Sequence, residues 1–272
     1  MALPDIPPVS NRPLYIYRVV MKWFSFFIFG LGTLLLVTVI FPGLRLRVHP
    51  QERFRAQARR FVSLSFRFFT KFMERLGIVK LEVEDREFFR RLTSKIIVAN
   101  HPSLLDVVML ISLIPNADCI VRGALAHTIV RGVIRQLYIP NSLDFEDLMA
   151  ACINSLNQGN NIIFFPEGTR TPRTGEIILK KGASRLALRS GRSVIPVYIG
   201  GNDKYGLGKR DPWTAFNHRE KYRYHIRRGA EIFPGTYGTM PAPRAVRQLT
   251  EDIRNFFLHS SQKFGRAHEN TP

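Results

Sequence analysis

The hydrophobic rhythm of the chain changes twice. From Trp23 to Leu44 it reads WFSFFIFGLGTLLLVTVIFPGL without a charge, slightly more than the roughly 20 apolar residues a helix needs to cross a bilayer core. A cleaved signal peptide fits poorly, because the run is long and Phe41-Pro42-Gly43 offers no small-residue cleavage pattern. From Gln51 to Leu76 the pattern turns helical and two-sided. Phe54, Ala58, Phe61, Val62, Phe69, Phe72, Met73 and Leu76 recur at helical spacing, interspersed with Arg53, Arg59, Arg60, Arg67, Lys71 and Arg75. This predicts a basic amphipathic helix that either lies in a membrane interface, cations against lipid phosphates, or docks on a core as a surface helix.

After Gly77 short β-rich runs alternate with helical stretches. Candidate strands are Val79–Glu84, Lys95–Ala99, Asp118–Arg122, Asn161–Phe165, Val194–Ile199 and Tyr222–Ile226, several of them apolar throughout, as strands covered on both faces are. Candidate helices are Leu104–Leu113, Asp144–Gln158, Lys181–Ser190 stopping at Gly191, and about Pro243 to Leu258. Strands alternating with helices predict an α/β sheet. The expected organisation is membrane-anchoring helices over residues 1–76, a catalytic domain over 77–259 and a disordered polar tail over 260–272.

Charge sharpens the picture. Lys and Arg number 40 against 21 acidic residues, a formal net charge of +19, so an anionic partner is expected. The apolar segment favours membrane lipid over nucleic acid, for which no zinc-finger spacing or aromatic RNA-binding signature is present. Arg45, Arg47, Arg53, Arg55, Arg59 and Arg60 outnumber Arg18 and Lys22 across the apolar run, so a single span leaves the catalytic part in the cytoplasm. Basic residues on both sides also allow a segment that enters and leaves by one face. Cys119 and Cys152 lie in apolar surroundings and read as buried thiols. His49, His127, His218, His225, His259 and His268 have no neighbours at ligand spacing, so no metal is expected.

Two strand ends carry the candidate chemistry. Ile96 to Ala99 runs into Asn100-His101-Pro102-Ser103 and then a helix containing Asp106. Pro102 bars helix at His101, Ser103 reads as a helix N-cap, and Asp106 in the first turn can reach back to the imidazole. Such a pair suits a base held by a carboxylate, whereas an isolated His and Asp would more often be structural. The second strand ends in Phe165-Pro166-Glu167-Gly168-Thr169-Arg170, which offers an acceptor, a hydroxyl and a fork-shaped cation suited to phosphate.

At these residues the chain resembles the glycerolipid acyltransferases, the 1-acylglycerol-3-phosphate acyltransferase-like family. His101 and Asp106 fit that family's His-x-x-x-x-Asp signature, and 165–170 reproduce its Phe-Pro-Glu-Gly-Thr-Arg block. Lys180-Lys181-Gly182-Ala183 and Val194-Ile195-Pro196-Val197 resemble its later blocks, and the likeness covers roughly Lys80 to Gly200. A weaker block is altered: Arg122, Leu125, Ile129 and Gly132 stand where the family often has Lys, Leu, Pro and Gly.

The resemblance implies a mixed sheet flanked by helices, behind an N-terminal membrane-associated helical segment. It implies an acyl thioester donor, on coenzyme A or acyl carrier protein, with no further cofactor, and a lysophospholipid acceptor, 1-acylglycerol-3-phosphate giving phosphatidic acid. In that reading His101 is the general base, Asp106 holds its ring, and Arg122, Glu167, Gly168, Thr169 and Arg170 bind substrate, Arg122 and Arg170 at an anionic headgroup. No covalent acyl-enzyme is required, and Ser103 is a cap rather than a nucleophile. The same chemistry on another lysolipid, and a non-catalytic membrane-binding protein, are the alternatives.

Overall fold

The computed structural model describes residues 6–121, 138–140, 142–172 and 177–269. Among them a seven-stranded sheet forms from β1 (Val79–Val83), β2 (Ile96–Ala99), β3 (Ala117–Val121), β4 (Tyr138–Pro140), β5 (Asn161–Phe164), β6 (Val194–Gly200) and β7 (Tyr222–Arg228). Their spatial order is β1-β7-β6-β2-β5-β3-β4, and each neighbouring pair is parallel except β6 and β7. The sheet is therefore mixed, as expected. Six strands lie where the apolar runs place them. β4, three residues long, is too short to produce a period.

Period-2 alternation explains why β2, β5 and β6 are apolar along their whole length. Ile97, Ala99, Ile163, Ile195 and Val197 join a core with α3 (Gln51–Arg75) and α5 (Asp106–Leu113). Ile96, Val98, Ile162 and Val194 join a second core on the opposite face. That face is covered by α6 (Phe145–Asn157), α7 (Gly182–Ser190) and α8 (Ala242–Glu269). A short α4 (Arg86–Arg91) went unforeseen, although Asp85 caps it by accepting from the Phe88 N–H at 3.0 Å.

At the N-terminus, α1 (Arg12–Leu35), one wide turn (Leu36–Ile40) and α2 (Phe41–Arg47) make one helix of 36 residues, apolar and long enough to cross a membrane. The wide turn precedes Pro42, whose missing N–H withholds a helical donor from the turn before it. One face packs on α3, with the Phe29 ring 5.7 Å from Phe66 and 5.0 Å from Phe69. The other exposes Phe24, Phe27, Leu31, Leu34 and Leu35, an apolar surface that marks association with a membrane.

Of the two readings of α3, docking on a core is the one its apolar stripe follows. Phe54, Ala58, Val62, Phe66, Phe69 and Met73 are buried in the core beside α5, while Phe61, Leu64 and Phe68 stay exposed. The helix therefore docks on the domain through its apolar stripe. Arg59, read as a surface cation, is buried against Asp118 of β3. The core thus runs across the boundary drawn after residue 76. At the other end α8 continues to Glu269, past the boundary drawn at residue 260.

Candidate active site

β2 and β5 are parallel neighbours in register, Ile96 opposite Ile162 and Val98 opposite Phe164, so their C-terminal loops emerge side by side. Ligands of open α/β sheets sit at such strand ends. Beyond Ala99 the ladder to β6 passes to a side chain. Asn100 accepts from the Ile199 N–H at 2.7 Å and donates to the Ile199 carbonyl at 3.0 Å. The His101 N–H donates to Thr171 Oγ1 at 2.9 Å and more weakly to Glu167 Oε1 at 3.3 Å, and the His101 carbonyl accepts from the Thr171 N–H at 2.7 Å. Thr171 in turn donates its hydroxyl to Glu167 Oε1 at 2.5 Å. Burial pushes the Glu167 carboxyl up, against the pull of these two donors. Glu167 and Thr171 thereby fix the backbone from which the imidazole projects.

The imidazole is held on two sides. Nδ1 lies 2.8 Å from Asp106 Oδ2, and the ring stacks on Phe165 with centroids 4.3 Å apart and planes 27° apart. Asp106 is fully buried at the start of α5 and accepts from the Ser103 N–H at 2.7 Å and the Ser103 hydroxyl at 2.5 Å. An ionised carboxylate only accepts, so this network assigns the proton to Nδ1 and leaves Nε2 free to take one from a hydroxyl. The His101 side chain keeps 19% of its surface exposed, enough for substrate to approach.

Behind Asp106 the network continues. Ser103 Oγ and the Tyr224 hydroxyl are 2.8 Å apart. Because Ser103 gives its proton to Asp106, Tyr224 is the donor in this pair. Tyr224 is fully buried, and burial first, then the Asp106 charge, raises its hydroxyl well above the ordinary range, keeping it neutral. The Lys204 ammonium lies 4.6 Å from the Tyr224 ring centroid and donates to the carbonyls of Asn202 and Arg223, the latter at 2.7 Å. Burial pushes Lys204 down to about 8.

Ser103 is not the side-chain cap expected of it: Leu105 occupies the N-cap position, and Ser103 Oγ accepts from the Leu105 N–H at 3.2 Å. With no exposed surface it is not placed to act as a nucleophile. Tyr224→Phe removes a net contribution of about 1 kcal/mol to this network. The expected outcome is a fall in kcat of about fivefold at unchanged acceptor KM, read by steady-state kinetics.

The second loop turns at Gly168, φ +65°, with the Lys180 side chain laid across it; a Cβ there would sit 3.0 Å from Lys180 Nζ. Thr169 is half-buried. Arg170 Nη1 donates to the carbonyls of Leu207 at 2.9 Å and Gly208 at 2.8 Å, so the guanidinium braces the loop after β6. Of the residues singled out in the sequence, the structure brings His101, Asp106 and Glu167 together and leaves Gly168, Thr169 and Arg170 along the adjoining loop. Arg122, with Leu125, Ile129 and Gly132, lies outside the described residues. Thr171, Phe165 and Tyr224 were missed as contributors. Thr171 adjoins the motif and was within reach of inspection, whereas nothing local to Tyr224 announces its partner.

A buried carboxylate orienting a partly exposed imidazole at paired parallel strand ends is the equipment of a proton-abstracting transferase or hydrolase. Comparison with known proteins narrows the class. The acyltransferase family model matches residues 80–200. A chloroplastic 1-acyl-sn-glycerol-3-phosphate acyltransferase of Arabidopsis thaliana is 29% identical over 118 residues, 41% of this chain and 33% of that protein. An uncharacterised acyltransferase of Schizosaccharomyces pombe is 29% identical over 151 residues, 52% of this chain and 53% of that one. The chain thus matches between a third and about half of the length of these relatives. The crystal structure of the 1-acyl-sn-glycerophosphate acyltransferase of Thermotoga maritima shares the fold, with a TM-score of 0.63 at 20% identity, over 89% of this chain and 97% of that one. Over residues 80–200, the segment that carries the His101 and Glu167 loops, the chain is therefore similar to acyltransferases, the 1-acyl-sn-glycerol-3-phosphate acyltransferases among them.

Proposed function

We propose that the protein transfers a fatty acyl group from a thioester, on coenzyme A or acyl carrier protein, to the free hydroxyl of 1-acylglycerol-3-phosphate, giving phosphatidic acid. The observation that carries this reading is the His101–Asp106 pair, Nδ1 to Oδ2 at 2.8 Å, inside the segment that matches the acyltransferase family model. His101 Nε2 takes the hydroxyl proton as the acceptor oxygen attacks the thioester carbonyl, and Asp106 stabilises the imidazolium that forms. Backbone donors beside the site meet the developing oxyanion. Collapse breaks the C–S bond, and the thiolate leaves with the proton returned by the imidazolium.

Glu167 acts here through the His101 backbone, not on substrate. Gly168, Thr169 and Arg170 line the acceptor side, with Arg122 as a further cation for its phosphate. The excess of arginine after the apolar run supports a cytoplasmic position for the catalytic domain. Arg122, in place of the cation usual in the family, favours a second reading in which another lysolipid is the acceptor.

Purified protein in detergent, offered a panel of lysolipids with each donor, tests this by mass spectrometry of the lipid product. Acylation of lysophosphatidic acid ahead of the panel is expected. Transfer confined to another lysolipid keeps the chemistry and replaces the acceptor, and no transfer to any acceptor overturns the proposal.

A further inference from the structure

The chain contains two tryptophans, Trp23 on α1 and Trp213 in the loop between β6 and β7. They lie far apart in sequence, yet their rings are 6.2 Å apart, and both are exposed, 44% and 61% respectively. Indoles favour the boundary between lipid and water, and Lys209 and Arg210, exposed in the same loop, add charge complementary to lipid phosphates. Trp213 thus adjoins a residue exposed on the same helix as Phe24, Phe27 and Leu31.

The loop is built rather than slack. Asp211 Oδ2 accepts from the N–H groups of Gly206 at 2.9 Å and Gly208 at 2.7 Å. Gly206, φ +91°, lets the two arms close, since a Cβ there would lie 2.0 Å from the Ala215 carbonyl oxygen. Lys22 of α1, wholly buried, donates to the carbonyls of Trp213 at 2.6 Å and Ala215 at 2.5 Å. At the loop's other end the Leu207 carbonyl accepts from the Leu104 N–H at 3.0 Å and from Arg170. One loop therefore grips the membrane helix with one arm and the His101 and Glu167 loops with the other.

We infer that residues 206–215 are a second membrane contact, contributed by the catalytic domain, which seats Trp213 in an anionic lipid interface beside Trp23 and so sets the height of the active site above the bilayer. This rests on the association of α1 with a membrane, and the test separates the two. The full chain carrying Trp23→Phe reports Trp213 alone, and Trp213→Phe reports Trp23 alone. Each is reconstituted into phosphatidylcholine–phosphatidylglycerol vesicles, with and without bromine on the acyl chains.

The expected result is that bromolipid quenches both tryptophans to a similar extent, Trp213 more by bromine high on the chain than by bromine near its end. Quenching of Trp23 with none of Trp213 overturns the inference and leaves α1 in the membrane; a blue emission from Trp213 that bromolipid does not quench gives its cover to protein instead. Quenching of neither overturns the membrane association itself. Circular dichroism checks the fold, and Tyr replaces Phe in any variant that loses it.

Discussion

Asp106→Asn is expected to lower kcat by about 10³- to 10⁴-fold while leaving the protein folded. The argument is one of protons. Asp106 Oδ2 receives the Ser103 N–H at 2.7 Å and faces His101 Nδ1 at 2.8 Å, and Oδ1 receives the Ser103 hydroxyl at 2.5 Å. Three donors converge on one buried carboxylate, and the buried Lys204 ammonium lies near enough to feel its charge. The amide is nearly the same shape, but it must present an NH₂ to one of those three. Turned toward the imidazole, the NH₂ stabilises the tautomer protonated on Nε2, and no base faces the acceptor hydroxyl. Turned toward Ser103, it loses that donor and the charge that steadies the imidazolium. Steady-state acyl transfer, with circular dichroism as the check on folding, measures the effect. A variant within about tenfold of wild type would mean that the carboxylate only shapes the start of α5.

The second large effect concerns stability. Arg59→Ala should destabilise the fold by about 3–5 kcal/mol, a sizeable part of the 5–15 kcal/mol typical of a domain. Arg59 Nε meets Asp118 Oδ1 at 2.6 Å and Nη2 meets Oδ2 at 2.9 Å, with side chains only 8% and 5% exposed. Ser155 supplies one further donor to Asp118 at 2.5 Å. Without the guanidinium, a carboxylate stays buried with its charge uncompensated, and α3 loses its polar link to β3. Arg59→Met with Asp118→Leu, which removes both charges and keeps the volume, should recover most of the loss. Denaturant titration in detergent measures both. A loss below about 1 kcal/mol in the single variant would show that α3 docks by its apolar stripe alone.

What the sequence made legible was local. A strand, Pro102 and the first turn of a helix fix the spacing of His101 and Asp106, so their approach could be read directly. The apolar runs of β2, β5 and β6 announced two covered faces because each side chain there has a core to enter. What could not be read depended on partners brought in by the fold. Arg59 looks like any cation on an amphipathic helix until Asp118, 59 residues on, meets it in the core. Tyr224 lies 121 residues from Ser103, and alternation along β7 says only that it points inward.

For Glu167 the motif gives identity without register. Only the alignment of β2 with β5 shows its carboxylate taken up by His101 and Thr171. The stripe on α3 was recognised with its neighbour left open, since periodicity does not distinguish a lipid surface from a protein one.

The central claim is that His101 is the base that activates the acceptor hydroxyl. Its most direct test is the single-turnover rate of acyl transfer to lysophosphatidic acid by wild type and His101→Ala, side by side at saturating donor and acceptor. The account predicts that the rate falls by at least about 10²-fold in the variant while acceptor binding persists. A rate unchanged by the substitution would contradict it.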